Sequence, residues 1–132
     1  MMDGRLARRL TAEKKGNDMR YALLIYGNES ADGQASKEEQ GAVMAAYNAF
    51  GERYKDRIVG GEALLETSSA TTVRVRNSKT LTTDGPFAET KEQLGGFYLI
   101  NCNDLDEALQ IAANLPGVER GSIEARPLME FD

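Results

Sequence analysis

The densest group of side chains able to do chemistry lies between residues 84 and 92. Asp84, Glu89, Thr90, Lys91 and Glu92 surround a Gly85-Pro86 turn, just before the glycine pair Gly95-Gly96. A carboxylate beside a lysine can be held ionised or tuned as a general base, and a stiff turn fixes its direction. Asp84 is therefore the candidate base, and Lys91 a candidate ligand contact. The plainer reading is that Asp84 caps a turn and Lys91 is solvated; residue type alone favours it, because structural ion pairs also perturb carboxylates. Arg74, Arg76 and Arg126 have the fork to clamp a ligand carboxylate, although strand arginines more often pair with neighbouring acids on a solvated face. Tyr26 and Tyr98 either offer hydroxyls to a ligand in a cleft or serve as core or interface aromatics. Gly61, in the pair Gly60-Gly61, marks a bulge or a close backbone approach and joins the candidate ligand-binding set. Neither glycine pair has the spacing of a dinucleotide or phosphate loop. Cys102 has no basic sequence neighbour, so a reactive thiolate is not indicated.

Composition removes whole classes of chemistry. The 132 residues contain no histidine, no tryptophan and one cysteine. Without histidine there is no Ser-His-Asp triad, no Cys-His dyad and no imidazole proton shuttle. The same counts leave no expected metal site and no expected cofactor, and one cysteine cannot close an intrachain disulfide. The net charge is −5. Residues 1–18 hold five cations against three carboxylates, a net +2, which leaves −7 on residues 19–132. An acidic domain lacks the clustered cations that nucleic acid or an anionic membrane needs. The first 18 residues have no apolar core of a secretory signal, and no run reaches transmembrane length. They read as an upstream extension, disordered or loosely helical, with a misplaced start codon as one account and a short basic docking arm as another.

The candidate residues must be positioned by elements that the pattern predicts. Residues 20–26 form a strand with Tyr21, Leu23 and Ile25 on one face and Ala22, Leu24 and Tyr26 on the other, so both faces are apolar. Ser36 with Glu39 is a capping box, opening a helix to about residue 55 with an apolar stripe of Val43, Ala46, Tyr47, Phe50 and Tyr54. Residues 58–65 are a second strand. Val73 and Val75 alternate with Arg74 and Arg76, and 71–83 reads as a β-hairpin turning at Asn77-Ser78-Lys79. Residues 95–100 are again apolar on both faces. Asp104 caps a helix whose stripe is Leu105, Ala108, Leu109, Ala112 and Leu115, stopped by Pro116-Gly117, and 122–129 is the last strand.

Without the hairpin the order is βαββαβ, the ferredoxin-like α+β arrangement, whose first and third core strands are the central pair. Those are the two strands apolar on both faces. Both helices cover one face of such a sheet, so something must cover the other. The expectation is a homodimer packed sheet to sheet, with an inter-sheet cleft for a small ligand. The alternative is the hairpin folding over that face within one chain.

The run Asp84-Gly85-Pro86-Phe87-Ala88-Glu89-Thr90-Lys91-Glu92-Gln93-Leu94-Gly95-Gly96-Phe97-Tyr98-Leu99-Ile100 resembles the DGPF-motif branch of the YCII-related proteins. The opening strand Met19-Arg20-Tyr21, the middle Gly60-Gly61-Glu62 and Ala70-Thr71-Thr72-Val73-Arg74, the helix start Asp104-Leu105-Asp106-Glu107-Ala108 and the closing Ile123-Glu124-Ala125-Arg126-Pro127 agree, so the resemblance covers 19–130. It implies a ferredoxin-like domain forming a dimeric α+β barrel in a bacterial, cytoplasmic setting. The wider group's proposed His-Asp pair cannot be carried over without a histidine, which leaves Asp84 as its one surviving member. The resemblance also implies an extracytoplasmic-function sigma factor as a regulatory partner. Two functions follow as expectations: a small-ligand-binding or accessory dimer, or a cofactor-free enzyme of lyase or isomerase type with Asp84 as base and Lys91 or Arg126 stabilising developing charge.

Overall fold

The computed structural model describes residues 19–131, so the extension expected over 1–18 lies outside the described residues. The strands are β1 (Met19–Gly27), β2 (Ile58–Ala63), β3 (Thr71–Arg76), β4 (Lys79–Asp84), β5 (Gln93–Cys102) and β6 (Ser122–Pro127). The helices are α1 (Glu29–Asp32), α2 (Lys37–Arg53) and α3 (Leu105–Ala113), with 3-10 turns at Thr67–Ser69 and Pro116–Glu119. Four strands form an antiparallel sheet in the order β2-β5-β1-β6, and β3 pairs only with β4. This is the ferredoxin-like α+β arrangement with an inserted hairpin, and β1 and β5 are its central strands. Among the described residues no helix is long and apolar enough to cross a membrane.

Local chemistry explains the element ends. Ser36 Oγ accepts from Glu39 N at 3.1 Å while Ser36 N donates to Glu39 Oε1 at 3.2 Å, the reciprocal cap of α2. Asp104 Oδ1 accepts from Glu107 N at 2.9 Å to open α3. The loop expected over 28–35 contains one helical turn, α1, because Asn28 Oδ1 accepts from Ala31 N at 3.0 Å. Asn77 and Ser78 both have positive φ, the two-residue turn whose twist matches a hairpin.

The core lies between the sheet and the helices. Tyr21 and Leu23 of β1 and Ile100 and Cys102 of β5 meet Phe50 of α2 and Ala108, Ile111, Ala112 and Leu115 at α3. Two stripe assignments change. In α2 the buried stripe begins at Tyr47, and Val43 and Ala46 are exposed because the first half of the helix runs past the core. In α3 the face centres on Ala108, Ile111, Ala112 and Leu115, which swings Leu105 and Leu109 to its exposed flank.

The opposite face carries its own apolar centre. Ala22 lies opposite Leu99 and Arg126, and Leu24 opposite Phe97 and Glu124. Strand alternation puts these side chains on the side away from the helices, and none of Ala22, Leu24, Phe97 or Leu99 joins the helix-side core. The hairpin does not fold over them: it forms a separate two-stranded sheet with Val73 and Val75 exposed.

Candidate functional site

One end of the four-stranded sheet gathers the connections that bear chemistry. The register pairs Gly27 with Gln93, Tyr26 with Ser122 and Ala63 with Gly96, so β1 and β2 finish where β5 and β6 begin. The connections there are tied to one another. Gln93 Oε1 accepts from Glu29 N at 3.0 Å, and Gln93 Nε2 donates to the Thr90 carbonyl. The Glu29 carboxylate accepts from Thr67 N at 2.8 Å and Thr67 Oγ1 at 2.7 Å, joining α1 to the chain after β2. Ser122 Oγ donates to Glu92 Oε1 at 2.8 Å. Glu29 and Glu92 are thus spent on architecture.

The structure disperses the predicted site residues. Asp84 ends β4 opposite Thr71, exposed, its carboxylate without a hydrogen bond or ion pair among the described residues. The turn after it is held instead by Gly85 N donating to the Ala70 carbonyl at 2.7 Å and Thr72 Oγ1 donating to the Gly85 carbonyl at 2.8 Å. Lys91 is exposed and pairs with no carboxylate among the described residues. Arg126 pairs with Glu124 at 3.2 Å on the sheet face away from the helices, the face that also carries Tyr26 beside Ser122. Tyr98 lies on the helix side, its ring 5.2 Å from that of Phe50. Gly61 has φ +154°, and a Cβ there would sit 2.5 Å from the Phe97 carbonyl oxygen. Its close approach is to β5 at Tyr98, and two residues along the same ladder Gly96 lies opposite Ala63, where a Cβ would come 2.8 Å from the Glu62 carbonyl oxygen. The two glycine pairs therefore let the β2 and β5 backbones close together, and each accompanies a register shift.

A grouping that spacing did not show lies on the helix side of the same end. Tyr47 of α2 reaches Gly117, where a Cβ would stand 3.0 Å from the Tyr47 hydroxyl and 3.3 Å from Ile25 Cγ2. Burial raises the Tyr47 phenol above its ordinary pKa, with Tyr98 and Asp32 adding to the rise and a hydrogen bond with the Gly117 backbone opposing it. Burial raises the Tyr98 phenol too. Asp32 Oδ2 would be 3.2 Å from a Cβ at Gly27. Among the described residues, no cation is among the groups acting on either phenol. Two protonated phenols without a neighbouring cation suit hydrogen bonding to a neutral carbonyl or hydroxyl oxygen better than clamping an anion. Sequence periodicity placed Tyr47 on a buried stripe; only the tertiary fold brings it to Tyr98.

An open acidic depression also lies over the start of α3, lined by Asn103, Asp104, Asp106, Glu107, Leu109 and Gln110. Its acids are largely engaged: Asp104 caps the helix, while Glu107 accepts from Asn103 N at 2.7 Å and from Arg57 at 3.1 Å. Among the described residues, no group of three or more acidic or cysteine side chains could hold a metal ion.

The chain is 46% identical over 114 residues to an uncharacterized protein of Rhizobium meliloti (strain 1021), an overlap covering 83% of this chain and 92% of that relative. The model of the YCII-related domain matches residues 19–132, the same span that builds the sheet, its helices and the hairpin, and the chain belongs to that family.

Proposed function

We propose that the protein is a homodimer that binds a small neutral ligand at the loop end of each four-stranded sheet. The observation that carries the ligand reading is that Tyr47, beside Gly117 and Ile25, and Tyr98, beside Phe50 on β5, lie on the same helix side of the sheet, where burial raises both phenols. They offer donors to a carbonyl or hydroxyl oxygen over an apolar floor that includes Ile25.

The dimer reading rests on the opposite sheet face. Ala22, Leu24, Phe97 and Leu99 form a half-buried apolar centre there, on the side away from the described helices. Arg20 Nε and Asn101 Oδ1, on cross-strand neighbours of this face, are buried without a hydrogen-bond partner. Hydrogen bonding inside the protomer is thus incomplete on this side. A second copy presenting the same face supplies matching apolar surface, as a two-fold interface requires. The general-base reading at Asp84 has less behind it, because that carboxylate is exposed and nothing among the described residues orients it.

Native mass spectrometry of protein purified without added ligand tests both parts. The expected result is a dimer carrying a reproducible extra mass that disappears in the Tyr47→Phe/Tyr98→Phe variant. A monomer at micromolar concentration sinks the dimer. An adduct retained in full by the double variant sinks the phenol site.

A further inference from the structure

We propose that the β3–β4 hairpin is a docking arm that lies against a second copy of this chain; the proposal rests on the homodimer reading and goes beyond it by naming the arm as part of the contact. The hairpin is an isolated two-stranded sheet that pairs with no other strand. Such a hairpin is at best marginally stable in water and needs a third strand or an apolar surface to pack against. Its apolar side chains have no cover: Val73 is 61% exposed and Val75 59%. By the β3–β4 register these two valines share one face with Thr80 and Thr82, while Arg74, Arg76, Lys79 and Leu81 occupy the other. The two most exposed large apolar side chains of the described residues, Leu65 at 82% and Phe87 at 79%, flank the arm in sequence on either side of its base. The arm and its attachment thus carry a group of exposed apolar side chains, beside single ones elsewhere such as Met44 and Met129.

Charge selects the occupant. Arg74, Arg76 and Lys79 against Asp84 give residues 71–84 a net +2, so of the −7 on residues 19–132 the remainder carries −9. None of the three cations has an ion-pair partner among the described residues. Elsewhere Arg57, Arg120 and Arg126 are each paired with a carboxylate of their own protomer. The carboxylates of Glu62 and Glu66, on β2 and just after it, have no partner among the described residues. A basic arm with an apolar face, carried by a strongly acidic body, matches the surface of another copy of that body. Opposite charge then steers and registers the contact, and the valine face supplies the buried area.

The test is sedimentation equilibrium of the full chain at low and high salt, beside two variants. Arg74→Glu/Arg76→Glu/Lys79→Glu reverses the charge without touching the core. Val73→Thr/Val75→Thr removes the apolar face but keeps β-branched residues that favour the strand. The arm predicts that wild-type dimerisation weakens with salt, and that each variant raises the dimer dissociation constant by at least about tenfold, as expected when an interface loses several charged or buried contacts. Amide exchange across the hairpin is expected to quicken in step. A wild-type dimer matched by both variants within about twofold overturns the arm and leaves the sheet-to-sheet dimer standing. A wild-type monomer overturns both. Hairpin amides that stay equally protected at concentrations where the chain is monomeric also overturn the arm, because the hairpin would then need no partner.

Discussion

Gly61→Ala is expected to be strongly destabilising, and the magnitude follows from two separate features of its place. Its φ of +154° lies where side chains are rarely tolerated, which costs of the order of 1–3 kcal/mol. The new Cβ would also stand 2.5 Å from the Phe97 carbonyl oxygen and 3.1 Å from Tyr98 Cα, both backbone atoms of a central strand. Neither can swing away as a side-chain tip would. The edge strand β2 must move, which loosens the β2–β5 ladder and with it the Tyr98 and Phe50 packing beneath. Together these amount to about 3 kcal/mol, a large single-site effect with a named steric cause. For a domain of this size that is a fall in Tm of roughly 12 °C. The assay is thermal and urea unfolding followed by far-UV circular dichroism, at matched protein concentration so that association does not move the midpoint. Gly51→Ala is the control: it lies within α2 with nothing within 4 Å of its Cβ, and it is expected to gain about 0.5–1 kcal/mol. A Tm for Gly61→Ala within about 2 °C of wild type would refute the close-approach argument. If that stable variant had also lost the small-molecule adduct, Gly61 would return as a ligand contact.

Three further outcomes follow from the same structure. Ser36→Ala removes half of a reciprocal cap and is expected to cost about 1 kcal/mol; in the wild type, hydrogen bonding with the Ser36 backbone and side chain, then Arg120, holds Glu39 below its ordinary pKa. A carboxylate depressed on folding contributes stability above its unfolded value that is lost as pH falls through the folded one, so an NMR titration of Glu39 is expected to reach its midpoint below 4.5 and to move back up in Ser36→Ala. Cys102 is buried and burial raises its thiol, so alkylation is expected to be slow at pH 8 and to track unfolding in denaturant; prompt labelling of the native protein would contradict the packing of β5 against α3. Burial raises Tyr47 and Tyr98 above the ordinary 10.0. Their contribution to stability is therefore complete below that value and lost as pH rises through the folded one, so spectrophotometric titration should show two phenols ionising late, with unfolding close behind.

Much of the fold was legible because it depends on local pattern. Two strands apolar on both faces, 20–26 and 95–100, had to be central, and they are. Ser36 with Glu39 and Asp104 with Glu107 announced their helices through hydrogen bonds spanning three residues. The stripes were less legible, because periodicity reports a helix's apolar side but not how far the helix runs over the core; Val43 and Ala46 lie beyond it. Ile111 was passed over in favour of Leu105 and Leu109, since 3.6-residue periodicity leaves the centre of a wide apolar face ambiguous by about one position. The candidate site was least legible. Tyr26 and Tyr98 look equivalent as strand tyrosines, yet the β1–β5 register sets Tyr98 opposite Leu23 on the helix side, while alternation sends Tyr26 with Ala22 and Leu24 to the other face.

By itself the amino-acid sequence determined what depends on neighbours along the chain: the helix starts, the hairpin and its turn, the acidic balance of residues 19–132, and the exclusion of histidine chemistry. It also carried the family, through one long motif and its surroundings. Only the tertiary structure decided which residues meet. It brought Tyr47 to Tyr98 across 51 positions of chain. It showed Gly61 and Gly96 to be the points where the β2 and β5 backbones approach closely, and it left Asp84 exposed at the foot of the hairpin. The physical reason is that capping and periodicity act over three or four residues, whereas a site is built from register and packing, which are settled only when distant segments compete for the same surface.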